Sequence, residues 1–378
     1  MRRHTVVLMN IVLALVLIGL VMAYSAGIGR PQSEAGAPDP FVFLRDHVKF
    51  AAIGLGLMFI AARVDYHVWK VRPVLWALEG AALVALVLVL AVGVEIRGAQ
   101  RWLEVFGLRF QPSEYAKLVL VILLAVKLSE NQQDTPKFWR GFVPPLLITG
   151  AFAGLVLAEH DLGTPVIMGF VATAMIFMAG GKLWHIALAG APACAGVYFL
   201  IASDKERTER IAAFLDPWEN RSDGALQLIE SLAGFARGGI WGRGLGAGEQ
   251  KLYYLPDAHS DFIFSVWGEE MGLVGTLAMV ILFAALVILA VRIAVCAPDL
   301  YGSMLAVGIA SLIGVQAAAN MGVTTGLLPT KGLGLPFISA GGSSLIMNLL
   351  LAGILLNVGI QGVEREKPAM MAPALRRA

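Results

Sequence analysis

Apolar runs, each about long enough to cross a bilayer as a helix, recur along almost the whole chain. They fall at residues 5–25, 48–64, 74–94, 113–129, 141–158, 163–180, 183–202, 270–295, 303–323 and 343–362. About 20 apolar residues in helical form span the hydrocarbon core. Lipid offers no water to an unpaired backbone, so each run is read as a helix and not as an isolated strand. The pattern predicts an all-α, polytopic integral membrane protein with about ten transmembrane helices. Composition points the same way: 58% of the 378 residues are hydrophobic and 15% are charged, against roughly 25% charged in a soluble domain. That leaves too little charge to coat a soluble core. It excludes a soluble two-domain enzyme, a disordered chain, a collagen-like fibre and a secreted disulfide scaffold. A net charge of +2 makes no electrostatic case for nucleic acid. Cys194 and Cys296 sit in or beside separate apolar runs and suggest neither a disulfide framework nor a zinc site.

The first run follows Arg2 and Arg3 and so resembles a signal peptide. It is longer than an ordinary signal-peptide core, and no soluble mature sequence follows, so it is read as a retained helix. An even number of spans puts both termini on one side. With the termini inside, the inner segments carry about twice the Lys and Arg of the short outer loops, so the termini are expected to be cytoplasmic. Residues 1–365 then form a single membrane domain. A long extracytoplasmic loop at about 203–262 joins helices 7 and 8. Residues 366–378 are expected to be a disordered cytoplasmic tail.

The unusual sequence collects on the outer side. "GLLPTKGLGLPFISAGGSS" carries Pro329, Pro336 and many glycines. Such irregular backbone is tolerated at membrane depth only where it lines a cavity, so about 324–342 is read as a re-entrant or irregular segment. In the long loop, "ALQLIESLAGFA" has apolar residues at helical spacing and predicts an amphipathic helix on the membrane surface. The run "GGIWGRGLGAG" is either a flexible surface loop or a tight backbone whose N–H groups approach phosphate or sugar.

Asp261 stands directly before the apolar run "FIFSVW". It is either a helix cap or a carboxylate at a helix mouth, placed to act as a base toward a sugar hydroxyl. Glu269 and Glu270 would be buried, and Glu270 is read as half of a structural ion pair. His259 is a loop residue that can shuttle a proton, ligate a metal or do neither. Asp257 and His259 flank Asp261 at a spacing that would bind a divalent ion weakly. His160 and Asp161 sit in the turn "EHDLGTP", where Asp161 is most simply a turn or cap residue. Lys117, one turn into the fourth run, either snorkels or faces a polar cavity. Arg101, Arg243, Lys251 and Lys331 are candidate cations for a pyrophosphate, which needs several of them.

At these residues the chain resembles the SEDS (shape, elongation, division, sporulation) proteins of bacteria. The motifs that carry the resemblance follow in order: "QRW" with "QPSE" and Lys117, "HDLGT", "DPW", "GRGLGAGEQKLYYLPDAHSDFIF", "EEMGLVG" and "LLPTKGLGLPFISAGGSSL". They cover nearly the whole chain. "DPW", "QKLYYLPDAHSDF" and "LLPTKGLGLPF" are more similar to the division branch than to the elongation branch, with the sporulation branch close by. Ser260, Met271 and Ala340 depart from the usual residues, and none of the three removes a charge.

The resemblance implies an inverting peptidoglycan glycosyltransferase in the bacterial inner membrane at the division septum. It would polymerise lipid II, an undecaprenyl-pyrophosphate disaccharide-pentapeptide, into β-1,4-linked strands. It implies a class B penicillin-binding protein (an FtsI-like transpeptidase) and other division-machinery membrane proteins as partners. It maps the required aspartate onto Asp261 and places Arg101, Lys117, Arg243, Lys251, His259, Lys331 and Ser343 around the substrate. No cofactor is required by the sequence and no metal ligand is assigned, though a divalent cation (Mg2+ or Mn2+) is compatible with a pyrophosphate substrate. A lipid II flippase and a non-enzymatic division scaffold are the alternatives. A broken, Gly/Pro-rich helix also suits a transporter, but no second, paired broken segment is evident.

Overall fold

A computed structural model of the chain describes residues 2–28, 41–96, 99–105, 108–219, 223–252 and 259–375. Its elements are α1 (Arg2–Ile28), α2 (Val42–Arg63), α3 (Arg72–Val92), β1 (Val94–Ile96), β2 (Ala99–Val105), β3 (Leu108–Phe110), α4 (Pro112–Glu130), α5 (Val143–Ala158), α6 (Gly163–Met178), α7 (Leu183–Ala202), α8 (Lys205–Leu215), α9 (Asp223–Gly238), α10 (Ile263–Val295), α11 (Leu300–Thr324) and α12 (Gly342–Leu375). Every apolar run predicted to span is matched by a helix, and the chain is a multi-pass membrane protein. Among the described residues, seven helices (α1, α3, α5, α7, α10, α11 and α12) are long and apolar enough to cross by length and composition. Of the others, α6 is apolar but has only 16 residues, and α2 and α4 carry charged residues in their first turns.

Burial divides these helices into an inner and an outer set. α11, α4 and the Gly342–Val363 part of α12 are mostly buried, whereas α7 leaves nearly all of its surface outside the protein. Apolar surface turned to lipid costs nothing there, so an all-round apolar helix such as α7 needs no protein partner. The two ends of the bundle differ. At one, Tyr66 donates from Oη to Asp299 (2.5 Å), and its backbone N–H donates to Asn357 (2.9 Å), tying the end of α2 to α11 and α12. At the other, polar side chains surround an open cleft.

Three features differ from the sequence expectation. The segment after α3 is not plain loop: β1, β2 and β3 form an antiparallel sheet in that order, with Glu95 opposite Gln100 and Glu104 opposite Arg109. Trp102 and Val105 favour strands, a weak signal masked by the surrounding charges. The predicted eighth span begins seven residues earlier, at Ile263, and breaks at Gly272 (φ 64°, ψ −166°). Finally, the backbone of α12 is helical to Leu375, running through most of the segment expected to be a disordered tail.

The break at Gly272 explains the glycine-rich run. Backbone hydrogen bonds interrupted in α10 are replaced by the loop: Arg243 and Gly244 N–H donate to the carbonyls of Glu269 (3.1 Å) and Glu270 (2.9 Å), and Leu273 and Val274 N–H donate to Gly239 (2.9 Å) and Ile240 (3.2 Å). Gly242 lies so close that a Cβ would stand 2.2 Å from the Glu270 carbonyl. The Arg243 and Gly244 N–H groups are therefore spent on a helix and not on phosphate or sugar. The predicted amphipathic helix exists as α9, but its apolar face packs on α10 and α11 and does not lie free on a membrane surface. Ser231 on that face donates to the Thr324 carbonyl (2.7 Å), and Ser265 donates back to the Ser231 carbonyl (2.7 Å).

Candidate active site

The cleft has a volume of about 1000 Å³ and is walled by the first turns of α2, the β-sheet, the turn before α6, α8, the residues before α10 and the irregular segment 325–341. That segment holds no helix, and Leu335, Phe337 and Ile338 within it are buried. Thr330 to Gly334 and Ser339 to Gly341 of this segment line the cleft.

Asp261 is half-buried in the cleft wall, one residue before the N-cap of α10. The cap position itself is Phe262, which makes no side-chain cap bond. The carboxylate lies over Gly332, where a Cβ would come within 2.8 Å of Oδ2. The Asn320 side chain donates to the carbonyls of Asp261 (2.7 Å) and Leu333 (2.5 Å). Ser339 donates to the Ser260 carbonyl (2.6 Å) and accepts from the Leu335 N–H (2.6 Å). These bonds bind the irregular segment to the Asp261 turn as one unit.

Lys331, next to Gly332 in the chain, lies 3.2 Å from Asp161. Asp161 also accepts from the Gly163 N–H (3.0 Å) and the Thr164 hydroxyl (2.6 Å), so it caps the start of α6 as expected. Burial works to raise the Asp161 carboxyl, but Lys331, Arg101 and the Thr164 bond outweigh it and hold the group below its ordinary value. Burial lowers the Lys331 ammonium, opposed by Asp161 and reinforced by Arg101 and Arg210. The Lys331 stem crosses Gly163, where a Cβ would be 2.8 Å from Cε. Arg101 donates to the carbonyls of His160 (2.6 Å) and Glu159 (3.4 Å). His160 adopts a left-handed conformation (φ 60°) that a non-glycine residue takes up at some cost. Lys331, Arg101 and Arg210 thus bring three cations to one cleft, a set suited to a pyrophosphate.

The other candidates divide. His259 lines the cleft and stacks on Phe43 at 4.3 Å. Lys117 does not reach the cleft: it is buried and donates to Glu114 and Gln316, each at 2.8 Å, and Gln316 in turn donates to the Gly334 carbonyl. Lys251 is also removed from the cleft, buried against Glu270 at 2.6 Å with Ser25 at 2.7 Å. This is the ion pair predicted for Glu270 and a correction for Lys251. Arg243 pairs with Glu249 at 2.8 Å beside the α10 break. The Glu269 carboxylate accepts from the N–H groups of Glu249 and Gln250, both at 3.0 Å. Ser343 is buried, accepting from the Gln111 N–H (3.1 Å) and donating to the Arg109 carbonyl (3.3 Å), which joins α12 to the sheet. Desolvation and low dielectric draw such charges into pairs, and sequence spacing gave no sign of which cation would be so used.

Some cleft residues carried no clear sequence signal. Arg207 and Arg210 face the cleft from α8, and Phe43, Asp46, His47 and Lys49 face it from α2. The latter precede the apolar run read as the second span, although "RDHVKF" has polar residues at helical spacing. Asp257 lies outside the described residues. Among the described residues no three His, Cys, Asp or Glu side chains converge to hold a metal ion.

The chain is matched by the family model for the FtsW, RodA and SpoVE cell-cycle proteins over residues 5–363. It is 44% identical, over 94% of its length and 96% of the relative's, to a probable peptidoglycan glycosyltransferase FtsW of Geobacter sp. strain M18. It is 40% identical to stage V sporulation protein E of Bacillus subtilis, over 93% and 95% of the two chains. Among solved structures, one from work on polymerization and crosslinking by a peptidoglycan synthase complex matches with TM-score 0.75 and 30% identity, covering 94% of this chain and 97% of that one. The rod shape determining protein RodA of Thermus thermophilus matches with TM-score 0.67 and 30% identity, over 94% and 96%. With its helices, its cleft and its sequence in agreement, the chain belongs to the FtsW/RodA/SpoVE family of cell-cycle proteins.

Proposed function

We propose that this protein is a peptidoglycan glycosyltransferase that polymerises lipid II on the outer face of the bacterial inner membrane, at the division septum. The observation that carries the reading is the placement of one half-buried carboxylate, Asp261, in the same cleft as the cations Lys331, Arg101 and Arg210. Inverting glycosyl transfer needs a base on the acceptor side and positive charge at the leaving group. Asp261 takes the proton from the 4-hydroxyl of the acceptor N-acetylglucosamine. The freed oxygen forms a bond to C1 of the donor N-acetylmuramic acid, and the C1–O bond to the pyrophosphate breaks. Undecaprenyl pyrophosphate leaves with the bonding electrons, stabilised by Lys331 and Arg101, and the α-linkage becomes a β-1,4 bond.

The relatives named as FtsW support the division role. A class B penicillin-binding protein is the partner this reading requires, in keeping with the peptidoglycan synthase complex among the similar structures. Purified protein with that partner and lipid II should yield glycan strands, and a divalent-ion series with a chelator control reads whether a cation takes part. Vesicles carrying fluorescent lipid II in one leaflet test the alternative: rapid transfer between leaflets without strand formation would establish a flippase and overturn the proposal.

A further inference from the structure

The second half of α11 is apolar except for Gln316, Asn320 and Thr324, spaced four residues apart on one face. All three are buried. A buried amide in a membrane helix is costly unless it is hydrogen-bonded, and the chemistry above uses neither Gln316 nor Asn320. Both amides turn from α11 toward the irregular segment. Gln316 Nε2 donates to the Gly334 carbonyl (3.0 Å), and Asn320 Nδ2 donates to the adjacent Leu333 carbonyl (2.5 Å). Lys117 Nζ donates to Gln316 Oε1 (2.8 Å), so the oxygen end of that amide faces the lysine and the nitrogen end faces Gly334.

Asn320 also reaches the Asp261 turn. Three successive carbonyls of that turn are held: His259 accepts from the Ala340 N–H (3.1 Å), Ser260 from the Ser339 hydroxyl (2.6 Å) and Asp261 from Asn320 Nδ2 (2.7 Å). The first two donors belong to the irregular segment itself. Of the three, Asn320 alone stands on a helix, and that helix is mostly buried. Groups carried by a packed helix hold their position better than groups carried by a loop. Between the two halves lies Gly332, whose backbone comes so near that a Cβ would be 2.8 Å from Asp261 Oδ2. The Leu333 N–H closes a tight turn onto the Lys331 carbonyl (3.0 Å). A shift at Leu333 and Gly334 is therefore passed within two residues to Lys331 and to the backbone beside the Asp261 carboxylate.

We infer that Asn320 and Gln316 are positioning residues of the glycosyl transfer: anchored in α11, they set the spacing between the Asp261 carboxylate and the Lys331 ammonium. The inference rests on the glycosyltransferase reading and adds how base and leaving-group cation are kept in register. Asn320 is 1% exposed and stands behind the residues that line the cleft, so it acts through the two backbones it joins.

The test uses the full-length protein with its class B partner and lipid II, with rates taken per folded molecule. Asn320→Leu and Gln316→Met keep the side-chain size, add no charge and remove the donor. Misplacement of reacting groups by about 1 Å costs up to about 100-fold in rate. Asn320→Leu should lower kcat about tenfold or more and leave the KM for lipid II nearly unchanged. Asn320→Ala should show the same split if the leucine variant does not fold. Gln316→Met, which frees one carbonyl and not two, should lose less. Combined with Lys331→Ala, Gln316→Met should cost less than the product of the two single losses, because the group it positions is already gone. Amide exchange across residues 331–341 should rise in Asn320→Leu while α4 keeps its protection. The inference is overturned by an unchanged kcat in Asn320→Leu, by a rise in KM that accounts for the loss, by losses with Lys331→Ala that simply multiply, or by unchanged exchange in the segment. Failure of the parent reading is separate: the unsubstituted protein then forms no strands, and the positioning role falls with it even where the exchange rises.

Discussion

Lys331 and Asp161 join the irregular segment after α11 to the first turn of α6, Nζ to Oδ1 at 3.2 Å, with the lysine stem laid across Gly163. A cation held this way is pre-oriented yet still borders the open cleft. It has a carboxylate to rest on when no phosphate is present.

Replacement of Lys331 by alanine should lower turnover about 100-fold, the usual effect of removing one preorganised group at a leaving site. Asp161 keeps its bonds to Gly163 and Thr164 and the nearby charge of Arg101, so the fold should persist. Strand formation from lipid II, measured beside the thermal melt, separates the two effects. Lys331→Arg should retain a substantial part of the activity.

Glu159 lies in the same turn, fully buried, and neither carboxyl oxygen has a hydrogen-bond partner among the described residues. Burial, then the neighbouring Asp161, push its carboxyl from 4.5 up to about 8, with Arg101 acting against them. A raised folded-state value means the native protein binds the proton more tightly than the unfolded chain. Its stabilising contribution is full below about pH 4.5 and is lost as the pH rises through about 8. Thermal melts across this range should fall toward alkaline pH, and Glu159→Gln should flatten the decline. An unchanged slope in that variant would contradict the assignment.

Gly272 carries the break in α10 in a backbone region open to glycine alone, and a Cβ there would stand 2.3 Å from the Gly242 nitrogen. Gly272→Ala should destabilise the protein by about 3 kcal/mol or more, since strain and steric overlap act together. The melt in detergent checks this. Substitution at Gly56, whose Cβ position is open, is the control and should change little.

The buried pair Lys251–Glu270 separates a structural from a substrate role. Removing one partner leaves a buried charge unpaired, so Lys251→Met should cost about 3–5 kcal/mol. The double variant Lys251→Met with Glu270→Gln should recover much of that stability. A substrate-binding lysine would instead leave the melt unchanged and raise the KM for lipid II.

The helices were legible in the sequence because lipid imposes one length and one polarity on every span. Asp261 was legible because a carboxylate directly before an apolar run has few roles. The sheet around Arg101 was not, since its strands are short and rich in charge. Nor was the fate of the cations. Lys251, Lys117 and Lys331 look alike in sequence, yet two are sealed in pairs and one borders the cleft. What decides is which carboxylate the folded chain brings near, and that depends on contacts between residues as distant as Ser25 and Glu270.

The central claim is that Asp261 is the base of a glycosyl transfer. The most direct test is polymerisation of purified lipid II by the protein with its class B partner, comparing the unsubstituted chain with Asp261→Asn at equal folded concentration. Glycan strands from the first and none above background from the second are the predicted result. Equal strand formation by both would contradict it.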